Sequence, residues 1–139
     1  ELEKESKILC SELTKLASKY KKKVYNIDLS KDIFLEQGDI ISKIKNEYTK
    51  KYKYFDNNLG FIVKIILNSL VNLYIKNIKN LEKLINKKFN KIHIIGGGTK
   101  NEYLIIEMKN KINKKIITYK NMNSSTGNLL LFKNKNNNI

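Results

Sequence analysis

The chain has 139 residues, with 28 lysines against 13 acidic residues, a net charge of +15 and a single cysteine, Cys10. That length makes one domain or part of one, and a lone thiol excludes an internal disulfide and a cysteine metal set. No secretory signal pattern opens the sequence. No apolar run approaches the roughly 20 residues of a membrane span, the richest being Leu59 to Ile75 with Lys64, Asn68 and Asn72 inside it. No membrane partner and a reducing, cytoplasmic setting are therefore expected.

Lys, Asn and Ile make up about half of the residues, and Arg, Trp and Pro are absent. AT-rich codons encode those three residues, so the charge reads as mutational bias rather than as a designed basic surface. The lysines are spread over every polar face, and none is replaced by Arg, the residue suited to bidentate phosphate and base contacts. A basic nucleic-acid-binding module is thus the weakest reading. The expectation is no specific nucleic-acid partner and only salt-sensitive, sequence-blind binding.

Ile8, Leu9, Leu13, Leu16, Ala17 and Tyr20 recur at helical spacing and predict a first helix, closed by Lys21-Lys22-Lys23 at its negative end. Val24 to Leu29 alternates and predicts a short strand. Gly38-Asp39 opens a helix with the apolar face Ile40, Ile41, Ile44 and Tyr48. Lys50 to Asn58 reads as a loop in which Tyr52, Tyr54 and Phe55 are half-buried. From Leu59 to Ile85 apolar residues follow an i, i+3, i+4 rhythm with lysines and asparagines opposite, predicting a helix about 40 Å long at 1.5 Å per residue. Its apolar stripe requires a sheet or another helix to cover it.

A turn over Lys87 to Asn90 leads to Ile92, Ile94 and Ile95, a predicted buried strand that contains the lone histidine, His93, as a packed or edge residue. The strand runs into Gly96-Gly97-Gly98, and a helix carrying Tyr103, Leu104, Ile106 and Met108 follows at once, ending near Asn113. Backbone without side chains at such a turn allows a phosphate or nucleoside close approach, and the new helix offers N–H donors and a partial positive charge. Ile116, Ile117 and Tyr119 predict a second strand. Turn and cap chemistry over Asn123-Ser124-Ser125-Thr126-Gly127-Asn128 precedes a final helix through Leu129 to Phe132, and residues 134–139 read as a frayed tail. The order is α/β, and two parallel strands are too few to cover the long helix and its neighbours. A start at Glu1 within a helical pattern, together with the short sheet, predicts a fragment.

The glycine turn, Asn101 three positions beyond it, the Gly127-Asn128 pair, Asn68-Ser69-Leu70 with Leu73-Tyr74 in the long helix, and the Asp32-x-Phe34 element together resemble the C-terminal lobe of the FGGY family of carbohydrate kinases, and most of all its rhamnulokinase branch. The resemblance runs from about residue 24 to about residue 133. It implies an actin-like, ribonuclease-H-like ATPase lobe, incomplete here, that belongs to an enzyme passing the γ-phosphoryl of Mg2+-ATP to a ketose such as rhamnulose. It further implies that Gly96, Gly97 and Gly98 lie against ATP, with Asn101 one helical turn inside, facing the nucleoside. No catalytic residue and no metal ligand carry over, because the family's first lobe, with its phosphate loop and most of its sugar contacts, and the general-base aspartate have no counterpart here. The chain alone is expected to be inactive. The other readings are a decayed, non-catalytic remnant, or a relative of the xylulokinase and glycerol kinase type. Several positions depart from the family pattern: Lys120 and Met122 stand in its proline and acidic positions, Asn113 in place of a helix-ending glycine, and Gln37 in place of a proline.

Overall fold

The computed structural model describes residues 8–119, which fall into two compact units, the first ending at Asn86 and the second beginning at Lys87.

The first unit holds three helices: α1 (Cys10–Lys19), α2 (Ile40–Thr49) and α3 (Leu59–Leu84). Leu13 and Ala17, one turn apart, are the buried residues of α1 and face α3. The two helices approach closely at Gly60, where a Cβ would stand 2.7 Å from the Leu16 carbonyl oxygen. Gly38 and Asp39 both have positive φ, 86° and 50°, which turns the chain into α2, and the Asp39 carboxylate caps that helix by accepting the Ser42 N–H. Asn58 does the same for α3, accepting the Gly60 N–H at 2.8 Å. The core between the helices is Ile44, Tyr48, Phe61, Ile62 and Ile65, with Tyr20, Val24, Ile27, Tyr52 and Phe55 packed around it. Full burial of each such side chain is worth about 1.5–3 kcal/mol. Phe61 receives the edges of Tyr48, Phe55 and Tyr54, and Tyr25 stacks on Tyr52. The expected half-buried aromatics are thus Tyr52 and Phe55, while Tyr54 is exposed.

The strand expected over Val24 to Leu29 does not form: residues 24–28 have no regular structure and Leu29 lies in a turn. Side chains take the place of a ladder partner. The Ile27 N–H donates to Ser69 Oγ at 3.0 Å, and the Tyr25 N–H reaches the Tyr48 hydroxyl. Sequence alternation did not reveal that helices would satisfy this backbone. Glu47 of α2, almost fully buried, pairs with Lys31 and Lys50, which ties the 3-10 turn Asp32–Phe34 to the helix.

By length and composition α3 can cross a bilayer, in contrast to the expectation from the uninterrupted apolar count. Half of its apolar window is nevertheless buried inside the protein, as in a core helix, and Lys64 donates from it to the Tyr20 carbonyl. The helix ends at Leu84, and just past its Ile85 cap Asn86 takes φ 49°, the left-handed conformation that closes a helix. That role was expected at Asn113, but the second unit's helix instead runs into extended backbone at Ile112.

The second unit is β1 (Lys91–Ile95), a 3-10 turn (Gly97–Lys100), α4 (Glu102–Lys111) and β2 (Lys115–Tyr119). β1 and β2 pair in parallel with Ile92 opposite Ile116 and Ile95 opposite Tyr119. Parallel pairing demands a crossover, which α4 supplies. The isoleucines of β1 are only half-buried, not buried as expected, since the sheet has two strands among the described residues. His93 is exposed, with its Nδ1 3.0 Å from the Tyr119 hydroxyl and the two rings stacked. The predicted Ser124–Asn128 turn, final helix and tail lie outside the described residues.

Candidate functional site

β1 delivers the chain to the C-terminal edge of the parallel pair, where open α/β sheets bind ligands. Gly96 makes the turn there with φ 82° and ψ −163°, a region essentially restricted to glycine. The expected immediate helix does not follow. One 3-10 turn intervenes, because Thr99 staples the backbone: its N–H and its hydroxyl both donate to the Gly96 carbonyl, at 3.2 and 2.7 Å. Thr99 is buried. Sequence reading missed it, although a hydroxyl three residues after a carbonyl in a glycine turn is a recognisable signal.

Gly97 and Gly98 precede the first bond of this turn, so their N–H groups are the donors it offers to a ligand. Both have ordinary φ, and a Cβ on either would meet no heavy atom within 4 Å. Within the turn positive φ belongs to Gly96, not to Gly97 or Gly98.

Asn101 is displaced from its expected place as well. It is the N-cap of α4, not a residue one turn inside: its Oδ1 accepts the Leu104 N–H at 3.0 Å, and its own N–H donates to the Gly98 carbonyl. The structure thus joins Gly96, Gly97, Gly98 and Asn101 in one continuous turn, with the Asn101 carboxamide oxygen committed to capping. The positive end of the α4 dipole lies at Asn101 rather than at the glycines, and Glu102 in the first turn partly offsets it. Lys100 is the nearest cation in sequence and is exposed.

This arrangement can bind an anion or a polar edge through backbone donors. It holds no nucleophile or proton-transfer group of its own. Among the described residues, no cluster of three or more His, Cys, Asp or Glu side chains could hold a metal ion. A hollow of about 220 Å³ lies between α4 and β2, lined by Thr99, Glu102, Ile105, Ile106, Lys109 and Thr118. None of the three glycines lines it, and Thr99 is the residue of the turn that does.

No family model matches the chain. Over 105 residues it is 28% identical to the rhamnulokinase of Oceanobacillus iheyensis, covering 76% of this chain and 22% of that protein. The rhamnulokinase of Bacillus subtilis matches to the same extent, 28% over 105 residues and 22% of its length. The chain therefore spans about a fifth of the length of the curated relatives it matches, and the likeness is that of a distant sugar-kinase relation.

Proposed function

We propose that this chain is the nucleotide-side, C-terminal portion of an FGGY-type sugar kinase of the rhamnulokinase kind, working in the cytoplasm on Mg2+-ATP and a ketose. The supporting observation is the turn itself. A glycine-only conformation at Gly96 sits at the C-terminal edge of a parallel pair, followed by two glycines with no neighbour above them and a helix capped by Asn101. In this reading the backbone of Gly97 and Gly98 lies against ATP, and the Asn101 Nδ2 donates to it. The distant likeness to two rhamnulokinases points to the same activity, with the sugar held by parts of those proteins that this chain does not match. Phosphoryl transfer draws most of its acceleration from positioning and electrostatics, and this portion would contribute nucleotide positioning.

Titrating the labelled chain with Mg2+-ATP while following backbone amides by NMR tests the reading. Saturable shifts centred on Gly97, Gly98 and Thr99 are expected, at a weak affinity because one face of the nucleotide stays unheld. A coupled ADP-release assay with rhamnulose, xylulose and glycerol is expected to stay at the level of heat-killed protein. Turnover by the chain alone, or ATP shifts that avoid the glycine turn, would overturn the proposal.

A further inference from the structure

The second half of α3 carries an apolar strip that nucleotide binding does not use. α1 has 10 residues against 26 in α3, or about 15 Å against about 39 Å at 1.5 Å per residue. It lies at the start of α3, where the Leu16 carbonyl meets Gly60 and the Tyr20 hydroxyl donates to Asp56. Beyond Val71, Glu82 alone of the α3 residues is buried.

Leu67, Val71, Tyr74, Ile78, Leu81 and Ile85 recur at alternating steps of four and three, the repeat of a helix that packs along one seam. Leu67 and Val71 are core residues. The seam then emerges: Tyr74 is 40% exposed, Leu81 and Ile85 47%, and Leu84 beside them 83%. Four of the nine large apolar side chains exposed among the described residues thus share one short stretch, and such clustering marks an interaction surface.

The borders of the strip decide what fits it. Asn77 and Leu84 flank one side, Ile75 and the buried Glu82 the other. Lys76, Lys79 and Lys83 fall on the opposite side of the helix at 3.6 residues per turn. An acidic helix or anionic lipid headgroups are held by cations bordering an apolar strip, and these four bordering residues are not cationic. Such borders suit a second copy, because the lysines of a chain with net charge +15 then stay off the seam.

We propose that this strip pairs with the same strip of a second copy, antiparallel across a two-fold axis, independently of the assignment of the glycine turn. Tyr74 meets Ile85 of the second copy and Ile78 meets Leu81, and each contact occurs twice, as a two-fold requires. The seam from Tyr74 to Ile85 is about 17 Å long, which places the interface at the small, transient end of the range. The dimer is therefore weak, with a Kd between about 1 μM and 1 mM.

Sedimentation equilibrium of the full chain at about 150 mM salt, where exposed charges are screened beyond about 8 Å, tests the pairing. The average mass should rise with concentration from 16.3 kDa towards twice that value. Leu81→Glu, and Leu84→Glu at a side chain too exposed for the fold to depend on, should each weaken the dimer at least tenfold and melt as folded protein. Leu35→Glu changes the charge equally at a residue 81% exposed elsewhere and should leave the dimer intact. In a Cys10→Ser background, Ile78→Cys chains mixed with Leu81→Cys chains should cross-link to each other in preference to themselves. A monomer at all concentrations, a dimer that survives both seam variants, or preferential cross-linking of like chains would each overturn the proposal. A monomer that pellets with phosphatidylserine vesicles would overturn it in favour of a lipid surface.

Discussion

Replacing Gly97 with valine and, separately, Gly96 with alanine divides the glycine turn into a part the fold needs and a part a ligand needs. Gly96 occupies φ 82° and ψ −163°, where an L-residue costs about 1–3 kcal/mol. Taking about 4–8 °C per kcal/mol for a small domain, Gly96→Ala should lower the melting temperature by roughly 4–24 °C. Gly97 has ordinary φ and open space around a built Cβ, so Gly97→Val should melt within a degree or two of the parent, the loss of unfolded-state freedom favouring it slightly. The effect on ATP is the reverse. A branched side chain on Gly97 covers the N–H groups of Gly97 and Gly98, and loss of one or two such bonds at about 1–1.5 kcal/mol each weakens ATP binding by roughly tenfold or more. Calorimetric melting of both variants, followed by amide-detected ATP titration of Gly97→Val, reads the two effects independently. A folded Gly97→Val protein that binds ATP as the parent does would make the turn purely structural and end the nucleotide assignment.

Three further outcomes follow from the contacts. Gly60→Ala puts a methyl 2.7 Å from the Leu16 carbonyl oxygen, a backbone atom that cannot swing aside, and overpacking of about 1–3 kcal/mol should appear as a lower urea midpoint at constant slope. Asn101→Ala removes the cap on the Leu104 N–H and should cost about 0.5–2 kcal/mol, whereas Asn101→Asp should keep the cap and lose ATP by repulsion, a contrast that parallel melts and titrations resolve. The Lys31 and Lys50 ammoniums hold the Glu47 carboxyl below the usual carboxylate range. Its stabilisation is present above the unfolded-state value near 4.3 and is lost as pH falls through the lower folded value. Melting the parent and Glu47→Gln from neutral pH into acid should show the parent losing more stability in that window, and equal slopes would refute the pairing.

The helices were legible because each carries a strong apolar period and its own punctuation, as Gly38-Asp39 does before α2. Both strands of the second unit and the position of the glycine turn were legible for the same reason. The 24–29 segment was misread as a strand because alternation does not say what will pair with the backbone, and only the fold reveals that Ser69 and Tyr48 take up its N–H groups. The place of Asn101 was missed by about one helical turn because nothing in a GGGT run states how many residues the 3-10 turn consumes.

The asparagine bias itself gives an argument about the glycines. Where the fold needs a cap or a left-handed residue, asparagine often supplies it: Asn58 caps α3, Asn101 caps α4, and Asn86 closes α3 with φ 49°. Asparagine can do so because its short side chain accepts a backbone N–H and tolerates the left-handed region. It cannot serve at Gly60, where any Cβ strikes backbone, or at Gly96, whose ψ of −163° lies outside that region. Glycine at these two positions is thus explained by the fold. Gly97 and Gly98 are different, since neither has positive φ and neither is crowded. In a chain with only six glycines, two that packing and backbone geometry do not require stand side by side, on the exposed start of a turn at the C-terminal edge of a parallel sheet. Bare backbone at that place is what the proposed nucleotide site would use, since free N–H donors at the C-terminal edge of a parallel pair can meet a phosphate.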